Sequence, residues 1–259
     1  MTGFLSPERV GRSLFNVAWY AQGFFVLLRH ALGNLAMLAL GPTRQVFLKQ
    51  IYFTGVEALG AVSFIAVLSG IVITTQITSL VGVNATLTAK IMLWTVVREL
   101  GPLLTAIIII ARSSSAAASE LAAMKVHGEL NALRQMGIDP LDYLIVPRIA
   151  GITLSVMAVT FYFQMTAIVF GIGFTSLTHG IPFAGTLASV VSLLSLHEVL
   201  ASFFKTLSFG LVISITSCYY GLRAPLSATA IPQAATAAVM RNLLTIFFLD
   251  GLITYAVFL

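Results

Sequence analysis

Between Glu57 and Lys90 the chain carries no charged residue, and between Arg148 and Glu198 it again carries none. Apolar runs of that length leave few choices. A helix crossing a bilayer needs about 20 apolar residues, and only helices or closed barrels satisfy their backbone groups in hydrocarbon. Charged residues make up 9% of the chain and the mean hydropathy is +0.99, whereas a soluble domain carries about 25% charged residues. The sequence therefore predicts an all-α polytopic membrane protein. The basic residues flank apolar runs, so they read as topology determinants and headgroup contacts, not as a nucleic-acid surface.

Five spans are expected: within about 56–83, 87–119, 144–177, 199–222 and 240–259. Arg9, Arg12, Arg29, Arg44 and Lys49 precede the first. Arg112, Lys125, Arg134 and Arg148 surround the connection between the second and third, and Arg223 and Arg241 flank that between the fourth and fifth. The connections near 80–88 and 178–198 have no Lys or Arg. The positive-inside rule then puts the N-terminus in the cytoplasm. Pro182 followed by 183–196 reads as a short outer helix. No signal-peptide pattern is expected at the N-terminus. Residues 1–50 form a separate region. There Val10, Leu14, Val17, Ala21, Phe24, Phe25, Leu28, Leu32 and Leu35 recur at helical spacing, with Trp19 and Tyr20 as anchors. This reads as an interfacial helix ended by Gly41-Pro42, with a spanning helix as the alternative. Residues 51–259 form the membrane domain.

One stretch breaks the apolar pattern. Arg98-Glu99 sits inside the second span and is followed by Leu100-Gly101-Pro102. A charge at mid-membrane costs about 2.5–3.5 kcal/mol and normally faces a cavity or a partner. Proline removes a backbone donor and predicts a kink. Adjacent residues point about 100° apart on a helix, so Arg98 and Glu99 do not pair with each other. Either they face a cavity or they satisfy backbone groups freed by Gly101-Pro102. Asp250 in the fifth span is expected to pair with Lys205 or an arginine of another span. Arg112 and Glu120 read as structural pairing or headgroup contacts.

The connector from Glu120 to Pro140 is the most polar stretch, and about 128–138 forms a short helix. Gly137 supplies its C-cap, and Asp139-Pro140 forbids continuation. Leu130, Leu133 and Met136 fall on one face beside Glu129 and Arg134. Such a helix either grips a soluble motor or lies on the bilayer. The single cysteine, Cys218, excludes an intrachain disulfide. His179 and His197 lack a third ligand in sequence, so no metal is expected. No P-loop pattern occurs, so ATP phosphates would need another chain.

The run Arg98-Glu-Leu-Gly-Pro-Leu-Leu-Thr-Ala, then Ala111-Arg-Ser-Ser-Ser-Ala, Glu120, Met124-Lys-Val, Glu129-Leu-Asn-Ala-Leu-Arg-Gln-Met-Gly-Ile-Asp-Pro and Pro147-Arg148 strongly resembles the MlaE, or YrbE, family of ABC-transporter permeases, which includes toluene-tolerance (Ttg2B-like) permeases. The match is clearest over about 69–150. Two departures stand out: Ala111-Arg-Ser-Ser-Ser where the family usually has glycines, and a glycine-poor 222–233 connector. The resemblance implies a bacterial inner-membrane permease without catalytic residues or cofactors of its own. It implies a homodimer with an ABC ATPase that binds ATP and Mg. It also implies a periplasmic MCE-domain protein, often a STAS-domain accessory protein, and phospholipids or related lipids as cargo. By it, Glu129, Leu130, Leu133, Arg134, Met136, Gly137 and Asp139 belong to the coupling helix. Arg98, Glu99, Ile71, Thr74, Thr75 and Thr78 would line a lipid cavity between spans one, two and five at the dimer interface. Two rival readings are a gradient-driven carrier using Arg98, Glu99 and Asp250, and a lipid-modifying enzyme using Glu99 or Asp250, which lacks a nucleophile–base arrangement.

Overall fold

The computed structural model describes residues 22–258 except Val83 and Ile181. The expected anchors Trp19 and Tyr20, and the first half of the amphipathic pattern, lie outside the described residues. Helix α1 covers 22–33. Five helices are long and apolar enough to cross a membrane: α2 (Gly41–Val81), α3 (Thr86–Val126), α5 (Leu141–His179), α7 (Leu196–Arg223) and α8 (Ala230–Val257). Two short ones join them, α4 (Glu129–Gln135) between α3 and α5, and α6 (Phe183–Leu193) between α5 and α7. The all-α, five-span expectation holds, and the described residues form no strand.

Three boundaries differ from the expectation. Gly41-Pro42 does not merely end the first helix. Pro42, the second residue of α2, sits in its first turn, where the missing N–H costs nothing. The segment 41–54 then stays helical despite Arg44 and Lys49, because Thr43, Gln50 and Thr54 turn a polar face inward and Gln50 donates to Thr54 at 2.7 Å. Helix α1 stops at 33, and the chain passes through a 3₁₀ turn, Leu35–Ala39. Asn34 Nδ2 donates to Asp142 Oδ1 at 2.8 Å, and His30 Nε2 lies 2.8 Å from the same oxygen, pinning this bend to the start of α5. The fifth span begins at 230, ten residues early, on an alanine-rich turn that buries Ala230, Ala234 and Ala238.

The long helix α5 is the centre, packed against α2 on one side and α7 on the other. Small residues let the backbones approach, as is common where lipid gives no hydrophobic drive. A Cβ at Gly70 of α2 would lie 2.2 Å from the Ala167 carbonyl oxygen of α5, and one at Gly171 would lie 2.4 Å from Thr74 Oγ1. Gly210 meets Thr153 and Gly221 meets Ala118 in the same way. Between these contacts, Ile152, Val156, Phe163, Phe209 and Ile213 fill the core. Leu27 and Ala31 of α1 pack with Leu144, Ile145, Ile215 and Cys218 at the end of the bundle that carries α4, while Phe25, Val26 and Leu32 stay exposed.

Around Gly101-Pro102, where a kink is expected, the winding of the helix changes. Helix α3 widens into a π turn over Leu93–Leu100, returns to α-helix at Gly101–Ile109, and widens again over Ile110–Ser114. Gly101 N–H reaches back to Val96 O, leaving Val97 O without that donor, and Pro102 has no N–H for Arg98 O.

Candidate functional site: a charged cleft between spans two, four and five

Those two freed carbonyls organise the site. Gln164 of α5 donates to Val97 O at 3.0 Å and to Ser202 Oγ at 2.9 Å. Lys205 of α7 donates to Arg98 O at 3.1 Å. Polar side chains of neighbouring helices thus meet both freed groups. Gly101 makes room for this, since a Cβ there would lie 2.8 Å from Gln164 Cγ.

Lys205, the one Lys or Arg between Arg148 and Arg223, is 1% exposed. Its Nζ lies 2.8 Å from Glu99 Oε2 and 2.7 Å from Asp250 Oδ1. It also donates to Thr254 Oγ1 at 3.1 Å, and Thr254 donates to Glu99 Oε1 at 3.0 Å. One buried ammonium therefore ties α3, α7 and α8 together. The expected Asp250–Lys205 pairing holds. Lys205 also holds Glu99, a pairing not among the expectations, and a lone lysine in a span needs such carboxylates.

Beside this cluster opens a cleft of about 720 Å³, lined by Trp94, Thr95, Arg98, Glu99, Asp250 and Tyr255 among others. Arg98 lies over the Trp94 ring at 6.0 Å, and Lys90 over the same indole at 5.2 Å. Two cations, each about one turn from Trp94 along the helix, thus meet one indole. Along α3, Arg98 is about 18 Å from the first residue, Thr86, and Lys205 is about 14 Å from the start of α7 at 1.5 Å per residue. The cleft lies inside the spanning segments, toward the α6 end. Of the expected lining, Arg98 and Glu99 are there, but the span-one residues are not. Thr74 and Thr78 are buried, donating to Gly70 O and Thr74 O, with Thr74 in the contact with α5. Thr75 donates to Ile71 O and both are half-buried. Arg112 and Glu120 do not pair with each other: Arg112 binds Glu57, and Glu120 binds Arg148 at 2.7 Å.

At the opposite end, α4 is capped as expected. Gly137 has φ 77°, Gly137 N–H reaches Arg134 O and Ile138 N–H reaches Leu133 O, both at 3.0 Å. That is a Schellman motif. The expected apolar face divides, however. Leu130 is buried and Leu133 half-buried in the bundle, while Met136, past the last helical turn, is 65% exposed. Glu129, Arg134, Gly137 and Asp139 are exposed with it. Asp139 Oδ1 accepts from Leu141 N at 2.9 Å, closing the turn into α5. No group of three or more potential metal ligands occurs among the described residues.

Five spans, a short capped helix exposed at one end and an ionisable cleft inside the spanning segments fit the membrane subunit of a transporter. Known proteins narrow that class. Residues 47–256 match the permease family MlaE, so this chain belongs to the MlaE family. It is 32% identical over 217 residues to a probable ABC transporter permease of Synechocystis, covering 83% of this chain and 82% of that one. It is 30% identical over 212 residues to the chloroplast protein TRIGALACTOSYLDIACYLGLYCEROL 1 of Arabidopsis thaliana, covering 78% of this chain and 59% of that one. A probable ABC transporter permease of Rickettsia conorii is 25% identical over 256 residues, covering 93% and 97%. The chain is accordingly a multi-pass ABC permease subunit whose ATPase is a separate partner; the carrier and enzyme readings are not favoured.

Proposed function

We propose that this chain moves phospholipids or related lipids between the bacterial inner membrane and the cell envelope. It does so as a homodimer driven by its ATPase, with an MCE-domain protein outside and a STAS-domain protein as accessory. The N-terminus is cytoplasmic, α1 lies in the membrane interface, and the cleft opens on the outer half. The carrying observation is the cleft itself: Arg98 and Lys205 beside Glu99 and Asp250, within helices that otherwise expose Leu244, Phe248 and Leu252. Paired charges of both signs under an apolar wall suit a zwitterionic headgroup with its chains in hydrocarbon. The Arabidopsis relative carries a glycerolipid's name, which agrees with such cargo.

Lipid mass spectrometry on the purified complex is the test. Bound phospholipid is expected, and Arg98→Gln lowers its recovery about tenfold, the effect of losing one charge-assisted hydrogen bond. A folded complex devoid of lipid overturns the reading.

The exposed rim of α4 gives a second expectation. Arg134→Glu and Met136→Asp leave folding intact and reduce stimulation of the ATPase, read as hydrolysis rate in nanodiscs. Leu133→Asp is a poor probe, because Leu133 packs inward. Unchanged hydrolysis in both surface variants would rule α4 out as the coupling element.

A further inference from the structure

At the α4 end, a second crevice of about 660 Å³ lies among α2, α3, α5 and α8. Val46, Phe53 and Ile231 give it apolar lining, Lys49 stands on α2 between the first two, and Glu120 and Arg148 come from α3 and α5. Two cations face one carboxylate. Arg148 is 4% exposed, yet its guanidinium is under-used. Nη2 meets Glu120 at 2.7 Å, Nη1 reaches Ala117 O only at 3.5 Å, and Nε, also buried, has no hydrogen-bond partner. A buried guanidinium normally fills its donors, because each one left over forfeits hydration without return. Next to Phe53 stands another arginine, Arg112, 5.3 Å from its ring and with a buried Nη1 that is also unpartnered. By helical rise, Lys49 and Arg148 lie about 10–12 Å from the ends of their helices, the depth of a headgroup and its ester region rather than of mid-membrane.

We propose that this crevice is a second lipid site, separate from the charged cleft, that binds the phosphate of a phospholipid from the leaflet on the α4 side. The phosphate takes Lys49 and, after a small turn of the guanidinium, the donors that Arg148 leaves unused. The acyl chains leave along Phe53 and Ile231. Arginine suits this role because its planar fork matches two phosphate oxygens. Glu120 holds the fork in place and, being largely exposed, accepts the ammonium of a zwitterionic lipid. That the leaflet is the cytoplasmic one rests on the orientation proposed above; the binding does not.

The test is photo-crosslinking of the full chain in nanodiscs, using phosphatidylglycerol with a photoreactive group near its headgroup, followed by peptide mapping. Label is expected on the segments around Lys49 and Arg148. Lys49→Glu reverses an exposed charge, and Ile231→Trp fills the crevice; neither disturbs the Arg148–Glu120 pair. Each lowers label there about tenfold, the loss of one charge-assisted contact or of the space for a chain. Arg98→Gln leaves that label unchanged, so failure of the lipid-cargo reading at the outer cleft is seen separately. Label unaffected by both crevice variants overturns the proposal. So does label that falls with Arg98→Gln, or that excess inorganic phosphate abolishes, since the site would then take a free anion.

Discussion

Lys205→Met is expected to destabilise the protein by about 3 kcal/mol, near the low end of what removing one member of a buried ion cluster costs. The low end applies because a third of the Glu99 side chain is exposed, at 33%, against 16% for Asp250. The substitution strands two carboxylates that share one ammonium and also removes the donor to Arg98 O. Methionine keeps the volume, so packing loss is small. Thermal unfolding in detergent, read by circular dichroism, should show the loss. The combined variant Glu99→Gln, Lys205→Met, Asp250→Asn should regain most of it, because no charge is then unpaired. If Lys205→Met unfolds at the parental temperature, the cluster is not what joins α3, α7 and α8.

Gly70→Ala is the second large effect. The added methyl would sit 2.2 Å from a backbone oxygen of α5, and no side-chain rotation can relieve that. The helices must separate, at a cost of about 1–3 kcal/mol as for other overpacked interiors. Gly171→Ala meets Thr74 and Gly70 across the same contact, so the two together should cost less than their sum. Gly60, on the same helix, meets nothing within 4 Å. Its replacement by alanine should be neutral or stabilising, by about 0.5–1 kcal/mol. Equal unfolding temperatures for Gly60→Ala and Gly70→Ala would refute the close α2–α5 approach.

Much of this architecture can be read along the chain, because membrane helices announce themselves by local composition. The five spans, the Gly137 cap and the anomaly at Arg98-Glu99 are all local signals. What escaped depends on neighbours. Hydropathy cannot show that 41–54 stays helical, since its buried face is polar and is matched by α5. It underrates the alanine turn that opens α8. It cannot say that Leu130 turns inward while Met136 does not, because Met136 lies past the last helical residue and leaves the periodicity. Gln164 carries no local signal: its partners are the carbonyl of Val97, 67 residues away and freed by the π turn, and the hydroxyl of Ser202. The span-one threonines looked like a polar lining, but a threonine on a helix can satisfy itself on its own preceding turn, as Thr74, Thr75 and Thr78 do.

The winding of α3 has a last consequence. An ordinary helix closes its own hydrogen bonds, so its pitch is a private matter between residues a few positions apart. Near Arg98 that privacy is lost, since the carbonyls of Val97 and Arg98 are held by side chains from α5 and α7. Local pitch there belongs to three helices jointly. A displacement of α7 cannot leave α3 unchanged, because Lys205 would carry away the partner of one carbonyl and of Glu99 together. Rewinding to a regular helix cannot recapture Arg98 O, because Pro102 has no hydrogen to give it.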